Sequence, residues 1–207
     1  EHVDKFVVVE SKFSHSGKPK PLNFDINNFK KFKDKINYLV IDQPPANLLG
    51  FVKNEPEHKK GEKLILNGMA RDYFQRENLV KGIDEAKEND MILISDLDEI
   101  PDLSKLNLSE INKKIIIFEQ KMFYYKLNLI YENCSWYGTK ACRKKDLISP
   151  QWLRNIKAKK YPNWRFDLLF SKKKYTDLFF VKNGGWHFTY LKTPEDLEKK
   201  LLNFAHH

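Results

Sequence analysis

The sequence predicts an α/β layer fold. Three observations carry that reading. Short β-branched runs alternate along the chain with segments of helical periodicity. No internal repeat or low-complexity linker interrupts them. One hydrophobic strand pattern, Met91 to Ser95, closes on clustered acids, as strands do at the ligand edge of open α/β sheets.

The elements follow in order. Val3 to Glu10 is a near-continuous apolar run suited to a buried strand that ends at an acid. Gly17 to Pro21 reads as a loop. A short helix is expected over Ile26 to Lys35, and a second strand over Ile36 to Asp42, closed by Pro44-Pro45. Asn54 to Gly61 is polar and reads as a mobile loop. Asn67 is expected to cap a helix to about Lys81, with Ala70, Tyr73, Phe74, Val80 and Ile83 on one face. The third strand, Met91 to Ser95, stops at Asp96-Leu97-Asp98-Glu99, and Pro101 prevents its continuation. Lys114 to Tyr125 and Trp136 to Cys142 give two further strands. Pro150 to Lys174 mixes a short helix with basic loop. After Leu178 to Lys182, the pair Gly184-Gly185 turns the chain into a strand to Tyr190. Thr193 caps a last helix that starts at Pro194 and runs to about Ala205.

At 207 residues, 41% hydrophobic and 14% aromatic, the chain suits one globular domain with a sizeable core. No apolar run approaches the roughly 20 residues of a membrane helix, so no transmembrane segment is expected. Glu1 leads straight into a strand pattern, so no signal peptide is expected either. Two cysteines, Cys134 and Cys142, are too few for a disulfide framework and lack metal spacing, which favours a reducing, cytoplasmic setting over the Golgi lumen. The net charge is +9, with runs at Lys157-Ala158-Lys159-Lys160 and Lys172-Lys173-Lys174. These runs suit an anionic partner such as nucleic acid, lipid headgroups or a nucleotide. The simpler reading, a solvated lysine-rich face, is preferred, and nucleic acid is not expected as a partner.

The acid cluster is the most informative feature. Successive strand side chains alternate, so Asp96 and Asp98 are expected to point differently. One can bind a cation directly, and the other can act through water or hold a ribose. Mg²⁺ or Mn²⁺ bridging a carboxylate and two phosphates makes a nucleoside diphosphate a competent leaving group. Hard oxygen ligands favour those ions over zinc. The bland alternative is a solvated acidic turn.

Several segments together resemble glycosyltransferase family 17. They are Val3–Ser11 with Gly17–Leu22 (VDKFVVVES…GKPKPL), Arg71–Gly82 (RDYFQRENLVKG), Asp90–Pro101 (DMILISDLDEIP), Trp136–Ala141 (WYGTKA) and Gly184–Tyr190 (GGWHFTY). They occur in the family's order and cover most of the chain. Asp90–Pro101 and Gly184–Tyr190 are the specific ones. The resemblance implies a single GT-A domain over residues 1–207, a Rossmann-like sandwich expected to lack the strand and helix that family members usually have before this segment. It implies an inverting transfer from a UDP-sugar, UDP-N-acetylglucosamine first, to a glycan or glycoconjugate acceptor. It places Asp96 and Asp98 at the metal and favours His187 as a further ligand or diphosphate contact. It puts an acid near the nucleoside, which is Glu10, followed by Ser11; the alternative for Glu10 is a capped turn.

Arg71 and Arg76 are candidates for diphosphate oxygens, against helix-surface pairing with Asp72 or Glu77. Trp136 and Trp186 suit either a sugar face or the core. In a strand, Trp186 and Phe188 share one face and His187 the other; with the aromatics inward, His187 points to a cleft or solvent. The general base is open among Asp167, Glu119 and Asp146. Two other functions fit an acid-rich strand end or a basic chain: a sugar nucleotidyltransferase or pyrophosphorylase, and a non-enzymatic basic binding module.

Overall fold

The computed structural model describes residues 2–202 apart from Lys105, Asn163 and Leu169. The chain forms two compact units. The first comprises Val3–Glu85 with the segment from Thr193 onward, and the second comprises Ala86–Lys192.

In the first unit, β1 (Phe6–Ser11) and β2 (Ile36–Ile41) pair in parallel, Phe6 opposite Ile36 and Ser11 opposite Ile41. The first strand starts later than Val3 and runs one residue past Glu10. A 3-10 helix over Ile26–Lys35 joins the strands, with the Asp25 carboxylate accepting from Asn27 N at 2.9 Å. The Glu10 side chain holds this crossover to the sheet. Its Oε1 accepts from Lys20 Nζ and Asn23 N, both at 2.8 Å, and its Oε2 from Phe24 N at 3.0 Å and Tyr38 Oη at 2.8 Å.

The long helix differs from expectation. It is α1 (Glu57–Glu77), followed by a 3-10 turn over Asn78–Gly82. Residues 57–61 of the polar stretch 54–61, expected to be a mobile loop, form its start. Asn67 is not a cap but a buried mid-helix residue. Its amide brackets one residue of the preceding loop: Oδ1 accepts from Leu49 N at 2.7 Å and Nδ2 donates to Leu49 O at 2.9 Å. A partner distant in sequence thus satisfies a side chain that sequence alone assigns to a helix end. At the other end of the unit, α3 (Pro194–Leu202) begins where expected, with Thr193 Oγ1 accepting from Asp196 N at 3.2 Å. The expected end near Ala205 lies outside the described residues.

The second unit holds two four-stranded sheets. One has the order β3 (Met91–Ile94), β8 (Lys140–Arg143), β5 (Ile115–Phe118), β9 (Leu178–Val181). The other has the order β4 (Glu99–Pro101), β10 (Gly185–Thr189), β6 (Gln120–Tyr124), β7 (Ile130–Trp136). Both sheets mix parallel and antiparallel pairs. Every strand of one sheet continues in sequence into, or follows from, a strand of the other. The chain changes sheets five times, at 95–98, over 102–114, at Glu119, at 137–139 and at 182–184. Two expected strands therefore come apart: Lys114–Tyr125 breaks at Glu119, and Trp136–Cys142 breaks at Tyr137–Thr139. At the first break the apolar pattern runs on because Phe118 and Gln120, on either side of Glu119, are both buried.

The core is anchored by β5, whose Ile115, Ile116, Ile117 and Phe118 are wholly buried. Each such side chain contributes about 1.5–3 kcal/mol. Met91, Leu93, Leu103, Leu106 and Leu108 pack against the cluster of Ile116, Phe118, Ala141 and Val181. A helix, α2 (Pro150–Asn155), buries Trp152 and Leu153; Ser149 caps it, its Oγ accepting from Trp152 N at 3.2 Å.

The Glu10 contacts give the first prediction. They hold its carboxyl down at about 2 against burial, which acts the other way. A depressed folded pKa stabilises the fold above the unfolded value and loses that contribution as pH falls toward about 2. Thermal melts between pH 5 and pH 2 should show a shallower acid-side loss in Glu10→Gln than in the native protein. Parallel acid limbs would contradict the assignment.

Candidate active site at the sheet change

The sheet changes at 95–98, Glu119 and 137–139 bring together polar side chains that the core otherwise excludes. Ser95 Oγ and Thr139 Oγ1 lie 2.8 Å apart, and Ser95 Oγ donates to Glu99 O at 2.9 Å. Gln120 Nε2 reaches Thr139 Oγ1 at 3.2 Å, while Thr139 N donates to Gln120 Oε1 at 3.3 Å. These bonds satisfy buried polar groups at the points where the strand ladders end.

The acidic turn is organised by Glu99 and Arg154. Glu99 N donates to Asp96 O at 3.0 Å, closing the turn. The Glu99 carboxylate has no exposed surface. It accepts from Trp136 Nε1 at 2.7 Å, from Asp96 N at 3.0 Å, and from both Arg154 terminal nitrogens at 2.8 and 3.0 Å. Arg154 Nη2 also reaches Asp96 Oδ2 at 2.6 Å, and its Nη1 donates to Gly138 O. A Cβ on Gly138 would lie 2.0 Å from Glu99 Oε1 and 2.2 Å from Trp136 Nε1, so only glycine fits there. Lys140 donates from Nζ to Arg154 O and Ile156 O, both at 2.5 Å, fixing the end of α2. Burial and neighbouring Arg154 push its ammonium down to about 8, with Glu99 pulling the other way.

The two aspartates engage different partners. Asp96 faces Arg154. Asp98 lies beside His187, with Oδ2 3.6 Å from Nε2. His187 is placed by register: it sits opposite Glu99 on β4 and Met122 on β6, and Asp98 O accepts from Phe188 N at 2.8 Å. Gly185, with φ at 130°, brings the start of β10 against the Ile100 and Pro101 backbone. The expected alternation along β10 holds, but its direction is reversed. His187 and Thr189 are the buried side chains, and Trp186 is half-exposed. The reason is Trp136, whose ring stacks on His187 at 4.5 Å and 12°. Trp136 thus packs against the site residues, and its indole N–H is spent on Glu99. His187 Nδ1 is buried with no hydrogen-bond partner.

Asp98 and His187 are the residues here that could offer a carboxylate oxygen and an imidazole nitrogen to a divalent cation. Their atoms are too far apart for a hydrogen bond, yet two ligands about 2.1 Å from one ion lie about 3 Å or more apart. Among the described residues, no group of three or more His, Cys, Asp or Glu side chains could hold a metal. Two protein donors alone could hold an ion only if its other ligands came from elsewhere, such as phosphate and water.

The remaining sequence candidates fall elsewhere. In the first unit, a cleft of about 460 Å³ is lined by Ser11, His15, Lys18, Lys20, Arg71 and Gln75, among others. Arg71 donates from Nη1 to His15 O at 2.8 Å, and its Nε is buried without a partner. Ser11 Oγ accepts from Phe13 N at 3.0 Å. Glu10 accepts four hydrogen bonds, about the full capacity of a carboxylate, which supports the turn-holding reading over nucleoside contact. Arg76 pairs with Asp72 at 3.0 Å, the helix-surface alternative. In the second unit, Asp167 is paired with Arg165 and Lys174, which hold its carboxyl at about 2 and make it a weak base. Asp146 lies 3.6 Å from Lys114. Glu119 stands at a sheet change, accepting from Ser135 Oγ at 2.8 Å. Sequence reasoning does not single out Arg154, Gln120, Thr139 or Lys140. The only signal for Arg154 is its place on a short helix announced by Ser149-Pro150.

The profile of glycosyltransferase family 17 matches residues 1–207, the whole chain. The chain belongs to glycosyltransferase family 17. Membership points to glycosyl transfer, with a sugar donor and an acceptor, and the mixed α/β architecture with several sheets is compatible with it. No curated protein and no solved structure is significantly similar to the chain. No described helix of this family member is long and apolar enough to cross a membrane.

The Glu99–Arg154 fork gives the second prediction. Arg154→Met leaves a buried carboxylate uncompensated, a loss of about 3–5 kcal/mol. Urea unfolding should show that loss, and Gly138→Ala should destabilise through the same carboxylate. An unchanged midpoint for Arg154→Met would mean the fork does not hold the turn.

Proposed function

We propose that this protein is an inverting, metal-dependent glycosyltransferase of GT-A type, formed as one domain. In this reading it transfers a sugar, N-acetylglucosamine first, from a UDP-sugar to a glycan or glycoconjugate acceptor. The observation that carries the reading is the meeting of Asp98 and His187, which the two most family-specific segments contribute, at a turn built by buried Glu99 and Arg154.

Asp98 and His187 would hold Mn²⁺ or Mg²⁺. When bound, that ion would neutralise charge on the departing nucleoside diphosphate. Asp96, fixed by Arg154, would reach the ion through water or hold the ribose. Arg154 also offsets the repulsion between Asp96 and Glu99, which share one turn. Of the three candidate bases this reading favours Glu119 for taking the acceptor hydroxyl proton, because Asp167 and Asp146 each face a cation. In the first unit, Arg71 Nε is an unused donor, and Arg71, Ser11 and Lys18 suit an anionic group in the cleft.

Product analysis tests the reading. Incubation with UDP-N-acetylglucosamine and Mn²⁺ should release free UDP, and Asp98→Ala should lower that rate at least about a hundredfold, the scale expected when a key charge-stabilising group is lost. Release of pyrophosphate from UTP and N-acetylglucosamine 1-phosphate would instead assign a nucleotidyltransferase, and unchanged turnover in Asp98→Ala would remove the metal role. Glu119→Gln should reduce kcat while leaving UDP affinity in Mn²⁺ unaltered. Equal kcat in that variant would exclude Glu119 as the base.

A further inference from the structure

The loop between Ile156 and Tyr175 takes no part in the site above, yet it is built. Its base is tied by Lys157 N donating to Lys173 O at 2.8 Å. Successive turns satisfy its far end: Arg165 N to Pro162 O, Leu168 N to Arg165 O and Ser171 N to Leu168 O, at 3.2–3.3 Å. The Tyr161 ring packs under Arg165, Lys174 and Lys159, at 5.5, 5.9 and 6.0 Å. Asp167 accepts from Arg165 Nε and Nη2, each at 2.8 Å, and from Lys174 Nζ at 2.7 Å.

What the loop displays is unusual for a protein surface. Trp164, Phe166 and Phe170 are 76%, 81% and 90% exposed, among the bulkiest apolar groups the second unit offers to solvent. They lie at the far end of the loop. Lys157, Lys159 and Lys160 rise on one limb, and Lys172 and Lys173 on the other, all exposed. Exposed aromatic clusters of this kind mark contact surfaces.

We propose that this loop docks the protein on an anionic lipid bilayer, with Trp164, Phe166 and Phe170 in the headgroup layer and the flanking lysines over the lipid phosphates. The order of the groups along the loop carries the choice of partner. Apolar rings at the tip and cations on the limbs match the depth profile of a bilayer, with greasy groups innermost and charges at the phosphates. A single-stranded nucleic acid calls instead for cations and rings alternating along a groove. The tip's own charges are already matched: the Arg165 fork closes on Asp167, so burial at the interface strands neither ion. The amides of Arg165, Leu168 and Ser171 at the tip are paired in turns, which the interface also favours. Docking of this kind is peripheral and goes beyond the proposed catalysis.

Flotation with vesicles tests it on the full chain. Binding is expected to vesicles of phosphatidylcholine with phosphatidylglycerol and not to phosphatidylcholine alone, weakening with salt. Lys172→Gln and Lys173→Gln should each weaken it about fivefold. The triple variant Trp164→Ser, Phe166→Ser, Phe170→Ser should lose it. In the native protein, tryptophan emission should move to shorter wavelength on the anionic vesicles, and Trp164→Phe should remove that shift. Absence of flotation, flotation unchanged in the triple variant, or binding of an oligonucleotide with none to vesicles would overturn the proposal.

Discussion

The buried contact between Glu99 and Arg154 is the constraint on which the site depends. A carboxylate with no exposed surface requires a full set of donors, and it draws them from separate places in the chain: the Asp96 amide, the Trp136 indole and both ends of the Arg154 fork. Satisfying it fixes the acidic turn, the Trp136 ring and the end of α2 together. Such a pair is weak evidence for net stability, because desolvation offsets most of its attraction. Its consequence is geometric. With Glu99 turned inward and Asp96 held by Arg154, Asp98 is the acid set beside His187.

The surrounding fold explains how this contact can exist. A single continuous sheet would leave no room for Glu99, Gln120, Thr139 and Lys140 among buried strands. Each strand path instead breaks and joins a second sheet, and the breaks lie together. Backbone groups freed there need partners, and the buried polar side chains supply them. Gly138 leaves room for the Glu99 carboxylate, and Gly185 lets β10 approach β4 closely. The site is thus a product of how the sheets divide as much as of the acidic motif.

Much of this is legible in the sequence, and what is not shares a cause. Strands with an apolar run bounded by turn residues, such as Ile36–Ile41 and Met91–Ile94, can be read within a residue or two, and so can the Thr193-Pro194 helix start. The family is legible in its motifs. Lys114–Tyr125 reads as one strand because burial on both sides of Glu119 hides the change of sheet. Asn67 reads as a cap because its partner, Leu49, lies in a separate loop. Alternation along β10 is readable, but its direction is set by Trp136, about fifty residues earlier. Arg154 escapes notice because a pair separated by 55 positions leaves no periodic trace. In each case, local pattern gives the element and a distant contact decides its use.

The central claim is that Asp98 and His187 share one divalent ion in the nucleotide-bound protein. Proton NMR of the histidine rings, with Mn²⁺ as a relaxation probe in the presence of UDP, addresses it most directly. The His187 ring signals should broaden beyond detection when Mn²⁺ and UDP are both present, and should stay sharp under the same conditions in Asp98→Asn. Sharp His187 signals in the native protein with UDP and saturating Mn²⁺ would contradict it.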